Sequence, residues 1–148
     1  MYGYVKVGSA VPKLRVADCV YNKEEILKLV EAAAAKQVRV LSFPELSVTG
    51  YTCADLFFQA PLLHAAEQAI QEIAEATKAL NIFLLIGAPI AVDNQMFNCA
   101  VALYRGKLLG IVPKTHIPNY NEFYEQRQFA GAEEEDVEFV DFLKCEKN

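Results

Sequence analysis

The sequence has few of the features that mark metal-binding or nucleic-acid-binding proteins. Its 148 residues include four cysteines, which are widely separated, and neither a CxxC pair nor a cluster of cysteine and histidine occurs. This spacing argues against a zinc site and against a disulfide framework. Lysine and arginine are scattered and the formal net charge is -5, so no basic stripe is available to neutralise a phosphate backbone. We therefore expect neither a metal site nor a nucleic-acid partner.

Long apolar runs and processing signals are also absent. No window approaches the roughly 18 continuous apolar residues of a transmembrane helix. The opening MYGYVKVGSAV lacks the basic start, the apolar stretch and the small-residue cleavage site of a signal peptide. We expect a cytoplasmic protein with no membrane partner.

Several motifs of common enzyme classes are missing as well. No G-x-S-x-G is present, which argues against a serine hydrolase, and no G-x-x-x-x-G-K-[ST] is present, which argues against a phosphate-binding loop. A flavodoxin-like or Rossmann-like module needs a glycine-rich turn after its first strand, but the segment VGSAVPKLRVADC contains one glycine and a proline. That alternative is therefore disfavoured.

What the chain does contain is the periodicity of an α/β protein. Asn22 with Glu25 reads as a capping box that starts a first helix, and Pro61 suits the first turn of a second helix. Strand, helix and strand in this order favour a parallel pair, and Arg105-Gly106 reads as the turn of an added hairpin. The predicted strands span residues 2–10, 38–43, 82–90, 97–104 and 108–112.

The end of the chain is different in character. Residues 133–136 are four consecutive acids, which we interpret as a solvated loop, and residues 137–143 read as one further strand. A final strand without a partner completes a sheet poorly. We therefore expect residues 1–148 to be the N-terminal part of one larger domain, with exposed strand edges that favour homo-oligomers.

Two polar residues follow strands in similar settings. Glu45 comes directly after an apolar strand and Pro44, and Lys114 comes directly after another strand and Pro113. Ligands of open α/β sheets lie beyond the carboxyl ends of the strands, so we expect both side chains in one crevice. A carboxylate beside an ammonium supplies a proton acceptor and a cation for a developing oxyanion, which favours a catalytic site. His116, in the same loop as Lys114, is at most a supporting residue.

The segments around these two residues resemble a known family. "FPEL…TGY", "NCAVALYRGKLLGIVPK" and "PKTHIPNYNEFYEQRQFAG" are similar to the carbon-nitrogen hydrolase, or nitrilase, superfamily. "YGYVKVGSAVPKLRVADCVYN", "TGYTCADLFFQ" and "IPNYNEFYEQR" look most like the subgroup of N-terminal glutaminase domains found in glutamine-dependent NAD synthetases. The resemblance implies a partial four-layer α-β-β-α sandwich.

The resemblance also implies roles for individual residues. Glu45 would be the general base, Lys114 would stabilise the oxyanion, and Glu125 would position Lys114 and the substrate. Tyr120 would line the glutamine pocket. In the family a cysteine thiolate attacks the side-chain amide of glutamine and releases ammonia, leaving a thioester that water hydrolyses. The ammonia passes to a synthetase domain, which uses ATP and magnesium to amidate nicotinic acid adenine dinucleotide, whereas the glutaminase domain needs no cofactor.

The resemblance fails at the nucleophile. The family's cysteine follows a further pair of strands in a context like "EICEDLW", and this sequence has no such segment. Cys145 is the cysteine that follows Lys114, but the chain between Gly131 and Cys145 is too short for two strands, so we do not expect Cys145 to attack. We expect a fragment that does not hydrolyse glutamine by itself. A stand-alone amidase or nitrilase acting on another small amide or nitrile is the alternative.

Overall fold

The computed structural model describes residues 3–92 and 94–132. They form a five-stranded mixed sheet in the order β1-β2-β3-β4-β5, with helices packed against it, so the predicted α/β class is confirmed. The strands are β1 (Val7–Ser9), β2 (Val40–Ser42), β3 (Phe83–Val92), β4 (Gln95–Tyr104) and β5 (Lys107–Pro113). The helices are α1 (Cys19–Ala35), α2 (Ala60–Ala76) and the short α3 (Glu125–Gln128), and a 3-10 turn spans Ala54–Phe58.

The first half of the chain has the predicted parallel pairing. β1 pairs in parallel with β2, and β2 in parallel with β3, with α1 and α2 as the two connections. Pro61 lies in the first turn of α2, as expected. Backbone N–H groups in that turn have no intrahelical acceptor, so the proline removes no hydrogen bond. Both leading strands are shorter than the sequence predicts: β1 spans Val7–Ser9 rather than residues 2–10, and β2 spans Val40–Ser42 rather than residues 38–43.

The predicted start of α1 is wrong. The cap is Asp18, whose side chain accepts a hydrogen bond from the backbone N–H of Tyr21, four residues before the expected cap. Asn22 is instead fully buried inside the helix, where its carboxamide bonds to both backbone groups of Arg15 and to the carbonyl of Val48. Asn is also a favoured helix cap, so the local sequence does not distinguish a capping Asn from one whose side chain bonds to two distant loops.

The predicted hairpin is present and extended. β3 pairs antiparallel with β4 over ten residues, and β4 pairs antiparallel with β5. The β4–β5 turn is Arg105-Gly106, and both residues have positive φ, at 49° and 78°. Two positive φ values are typical of the tight turn whose twist matches that of the flanking strands.

The two faces of the sheet differ in their cover. Alternate residues of β3 and β4 point to one face and form a single hydrophobic core with α1 and α2. The opposite face carries Leu85, Ala100 and Val112, of which Ala100 and Val112 are exposed. One sheet with one helical layer is half of a four-layer α-β-β-α arrangement, in agreement with the partial sandwich expected from the sequence.

Some expectations concern other parts of the chain. Tyr2, the acid run 133–136, the strand at 137–143 and Cys145 all lie outside the described residues. Across residues 3–92 and 94–132, none of the helices is long and apolar enough to cross a membrane.

Candidate active site

Glu45 lies in a loop that crosses over β3. Val48 N–H donates to the carbonyl oxygen of Gly87 at 3.1 Å, and the Ser47 hydroxyl donates to the same oxygen at 3.4 Å. The crossing is so close that a Cβ at Gly87 would lie 2.3 Å from the Pro44 carbonyl oxygen. Glycine is therefore required in the middle of this strand, because it alone lets the loop backbone rest on the sheet.

The residue after Glu45 is held in an uncommon conformation. Leu46 has a φ of 51° although its side chain is fully buried, and its carbonyl accepts a hydrogen bond from Gly50 N–H at 2.7 Å. A left-handed backbone in a bulky residue costs of order 1–3 kcal/mol and persists only where the surroundings impose it. Burial of Leu46 under the loop imposes it here, and the turn directs the preceding Glu45 away from the core.

Lys114 follows the last residue of β5 and is fixed through its backbone. Its N–H donates to the carbonyl oxygen of Asn98 at 2.8 Å, and its own carbonyl accepts from Ala132 N–H at 3.1 Å. The bond to Asn98 continues the pairing of β5 with β4 beyond Pro113, which itself has no N–H to donate, and the bond from Ala132 ties Lys114 to the segment after α3. The Lys114 side chain then points toward the loop that carries Glu45.

The Lys114 ammonium lies between two carboxylates. Its Nζ is 2.9 Å and 3.1 Å from the two oxygens of Glu45, and 3.1 Å and 3.2 Å from the two oxygens of Glu125. The expectation that Glu45 and Lys114 share a crevice is thus met in the geometry. Burial alone lowers the pKa of Lys114, but its hydrogen bonds to Glu45 and Glu125 outweigh that effect and raise this pKa above its ordinary value.

The two carboxylates differ in exposure. The Glu45 side chain is 50% exposed, whereas that of Glu125 is 6% exposed. Glu125 also accepts a short hydrogen bond from the Tyr51 hydroxyl, at 2.6 Å. Burial first, and then the bond to Glu125, raise the pKa of the Tyr51 phenol, so the phenol stays protonated and continues to donate. Glu125 is therefore an anchor for Lys114, while Glu45 remains open to a ligand.

A second contact fixes the element that carries Glu125. Arg127, in α3, donates two hydrogen bonds to the carboxylate of Asp55, at 2.9 Å and 3.0 Å. Paired parallel bonds of this kind hold both partners in one orientation. Phe129 and Phe57 also pack edge to face, with ring centroids 5.0 Å apart. Together these contacts hold α3 against the 3-10 turn, so that Glu125 faces Lys114.

A cleft of about 280 Å³ opens beside Glu45 and Lys114. The polar residues Glu45, Asn98 and Lys114 are among those that line it, and its apolar lining includes Phe43, Leu85, Ala100 and Val112. A mostly apolar cleft with a few convergent polar groups is typical of a small-molecule site. The arrangement offers a ligand one ammonium and one accessible carboxylate at the end of an apolar slot.

Other residues singled out from the sequence lie elsewhere. Tyr120 is 64% exposed, with its ring against Phe123, and it does not line this cleft, so its role in a glutamine pocket stays a prediction. His116 is also exposed, and no hydrogen bond joins it to the cluster within the described residues. Cys53, which has no role predicted from the sequence, is buried near the Glu45 loop and donates from Sγ to the backbone carbonyls of Thr49 and Gly50.

Two residues of the cluster have no predicted role in the sequence analysis. Asn98 donates from Nδ2 to Oε2 of Glu45 at 3.1 Å, and Tyr51 donates to Glu125 as described above. Tyr51 belongs to the quoted "TGY" motif, so its sequence position contains a signal. Asn98 is a polar residue in a strand whose other buried residues are apolar, a pattern that indicates a specific hydrogen-bond partner.

Comparisons with known proteins identify the family and the fold of the chain. Residues 6–144 match the family described as carbon-nitrogen hydrolase. The chain is 36% identical over 133 residues to a glutamine-dependent NAD(+) synthetase of Mycobacterium leprae, covering 90% of this chain but 20% of that protein. The chain thus spans about a fifth of the length of the curated relatives it matches.

Two solved structures extend the comparison. The crystal structure of a glutamine-dependent NAD(+) synthetase from Cytophaga hutchinsonii superposes with a TM-score of 0.83 at 28% identity, over 88% of this chain and 22% of that chain. An amidase from Nesterenkonia sp. superposes with a TM-score of 0.69 at 21% identity, over 84% and 48% of the respective chains, which supports the fold alone. With its matching residues, its sheet and its Glu45–Lys114–Glu125 cluster, the chain belongs to the carbon-nitrogen hydrolase family.

Proposed function

We propose that this chain provides the base and the oxyanion cation of a glutaminase site, which hydrolyses the side-chain amide of glutamine to glutamate and ammonia. The observation that carries the proposal is the Lys114 ammonium held between Glu45 and Glu125 at the end of the cleft. The similarity to glutamine-dependent NAD(+) synthetases supports glutamine as the amide.

The donors and acceptors of the cluster complement a carboxamide that is being attacked. An ammonium has three N–H donors, and the Lys114 Nζ shares them among the four oxygens of the two carboxylates. We propose that one of these donors turns to the amide oxygen, on which negative charge develops in the tetrahedral intermediate. Glu45, which is half exposed, is placed to accept the proton of the attacking group. Glu125 contacts neither the amide nor the attacking group, and its role is to keep Lys114 in place.

The nucleophile in this proposal is a cysteine thiolate, as the family resemblance implies. Burial raises the pKa of the thiols of Cys19, Cys53 and Cys99, to about 11 for Cys19 and about 12 for Cys99. A thiol that stays protonated is a poor nucleophile. We therefore propose that none of these three is the attacking residue, and Cys145 lies outside the described residues.

The wider reaction belongs to the same proposal. Because the chain spans about a fifth of its curated relatives, we propose that the released ammonia is used by a synthetase domain with ATP and magnesium to amidate nicotinic acid adenine dinucleotide. The amide-hydrolysing site itself would use no cofactor. We further propose a cytoplasmic protein that associates with copies of itself through exposed strand edges.

Amide binding tests the proposal directly. In a ¹H–¹⁵N NMR titration of the chain with L-glutamine, we expect the backbone signals of Gly87, Asn98 and Lys114 to shift, because these residues line the cleft. The shifts should disappear in Lys114→Met. They should persist in Lys28→Met, which removes a lysine that pairs with Glu25 on the surface of α1 instead.

Comparison ligands separate glutamine from other amides. Shifts of equal size with acetamide would favour the alternative of a general amidase, because acetamide has the amide group without the amino-acid end. An absence of shifts with glutamine, asparagine and acetamide alike would contradict an amide site at Lys114.

A further inference from the structure

Asn98 connects the two halves of the cluster. It lies in β4 and is 3% exposed. Its side-chain Nδ2 donates to Oε2 of Glu45 at 3.1 Å, while its backbone carbonyl accepts from the N–H of Lys114 at 2.8 Å. One residue therefore contacts both the carboxylate and the strand extension that carries the ammonium.

The contact makes the two oxygens of Glu45 unequal. Oε2 accepts from both Asn98 and Lys114, whereas Oε1 accepts from Lys114 at 3.1 Å. A carboxylate oxygen with two donors has little capacity left for a proton, while an oxygen with one donor keeps a lone pair. We propose that Asn98 is a positioning residue, whose amide fixes Oε2 and leaves Oε1 of Glu45 to take the proton of the attacking group.

Lys114 alone does not define this orientation. Its Nζ is nearly equidistant from the two oxygens of Glu45, at 2.9 Å and 3.1 Å, and it is shared with Glu125. A half-exposed Glu45 side chain could rotate its carboxylate plane about such a contact. A directional amide donor on one oxygen restrains that rotation and so leaves the other oxygen facing the cleft.

A purely structural role explains Asn98 poorly. Asn98 lies on the face of β4 opposite to Phe97 and Cys99, which pack into the helix-covered core, so the packing of that core does not require a carboxamide at this position. A buried carboxamide is retained where it has a specific partner, and the side-chain partner found here among the described residues is Glu45. The step from orientation to proton transfer rests on the proposed function, whereas the orientation itself does not.

The side-chain amide signal of Asn98 tests the orientation without any substrate. We expect one of its two Nδ2 protons to lie downfield and to exchange with water about tenfold more slowly than those of the exposed Asn94 and Asn121. Glu45→Gln should weaken both effects, because a neutral amide oxygen is a weaker acceptor than the carboxylate. Glu125→Gln is the matched control: it removes the same charge from the same cluster but no contact of Asn98, so both effects should remain.

A second variant measures the consequence for Glu45. Asn98→Leu keeps roughly the size of the side chain but cannot donate a hydrogen bond, so we expect the NMR order parameter of the Glu45 Cγ methylene to fall. Asn81→Leu, at an exposed position away from the cluster, should leave it unchanged. Equal changes of the Asn98 signal in Glu45→Gln and Glu125→Gln, or an unchanged Glu45 order parameter in Asn98→Leu, would overturn the proposal. The glutamine titration is an independent experiment. If the unsubstituted chain does not bind glutamine, the result counts against the proposed function and not against the orientation of Glu45.

Discussion

Lys114 is the residue on which both carboxylates of the cluster depend. If it is replaced by methionine, the almost fully buried Glu125 keeps the Tyr51 hydroxyl as a donor but loses its cation. Breaking a fully buried ion pair costs about 3–5 kcal/mol. Because Lys114 is partly exposed and Glu125 keeps the Tyr51 donor, we expect a smaller loss for Lys114→Met, about 1–3 kcal/mol in the free energy of unfolding. Urea denaturation at pH 7 measures it, with Lys28→Met as the control that should change stability by less than about 0.5 kcal/mol.

A double variant shows whether Glu125 is the cause. Glu125→Gln in the Lys114→Met background removes the uncompensated charge, so we expect the double variant to recover part of the lost stability. Simple addition of the two separate losses would contradict the coupling inferred from the 3.1 Å contact.

Cys99 gives the chain a predictable loss of stability at alkaline pH. Burial raises its thiol pKa from the ordinary 9.0 to about 12. The unfolded chain therefore releases this proton first, and the stabilisation is complete below pH 9 and is lost as the pH rises from 9 toward 12. We expect Cys99→Ala to be less stable at pH 7 but to lose less stability between pH 9 and pH 11, measured by urea denaturation at each pH. If the free energy of unfolding falls equally with pH in the original chain and in Cys99→Ala, the raised pKa of the Cys99 thiol would be contradicted.

At the scale of elements, local sequence patterns predict the types and order well and the boundaries less well. Pro61 and the Arg105-Gly106 turn act through their own backbone preferences, so their sequence positions coincide with their structural ones. The position of Asn22 is not predicted by its backbone preference, because its partners Arg15 and Val48 are brought to it by the tertiary fold. A boundary that depends on a distant partner has no local signal, and for that reason the start of α1 is predicted four residues too late.

The crossing of the Glu45 loop over β3 gives an element-scale prediction. In Gly87→Ala the new methyl group would meet backbone atoms of Pro44 and Leu46 at 2.3 Å and 2.4 Å, which cannot move without shifting the loop. We expect a loss of about 1–3 kcal/mol in the free energy of unfolding, together with displaced NMR signals of Glu45 and Lys114.

Gly110→Ala is the matched control for that substitution. Gly110 is also in a strand, β5, but nothing lies within 4 Å of a Cβ placed there. We expect the free energy of unfolding of Gly110→Ala to stay within about 0.5 kcal/mol of that of the unsubstituted chain. Equal losses for the two substitutions would show that strand glycines are sensitive in general, and would contradict a specific role for the crossing.

At the scale of the whole molecule, the site can be predicted only in part. Glu45 and Lys114 have a signal in the sequence because each follows a strand that ends at a proline, and strand ends meet at one edge of the sheet. The contacts made by Asn98 and Tyr51 join residues 53 and 74 positions apart, and they depend on how β4 and the loops pack. Chain folding as a whole determines such partners, so the sequence can mark Asn98 and Tyr51 as unusual without showing which carboxylate each one contacts.

The open edge and face of the sheet lead to the last prediction. β5 pairs with β4 along one side, and Leu109 in β5 is 55% exposed. An exposed strand with apolar side chains is a template for pairing with another chain, so we expect concentration-dependent self-association in sedimentation velocity experiments. A lysine on an edge strand opposes such pairing, and Leu109→Lys should therefore shift the population toward the monomer. Val20→Lys adds the same charge at an exposed apolar position of α1 and should leave association unchanged. A chain that stays monomeric at millimolar concentration, or that responds equally to both substitutions, would exclude pairing through β5.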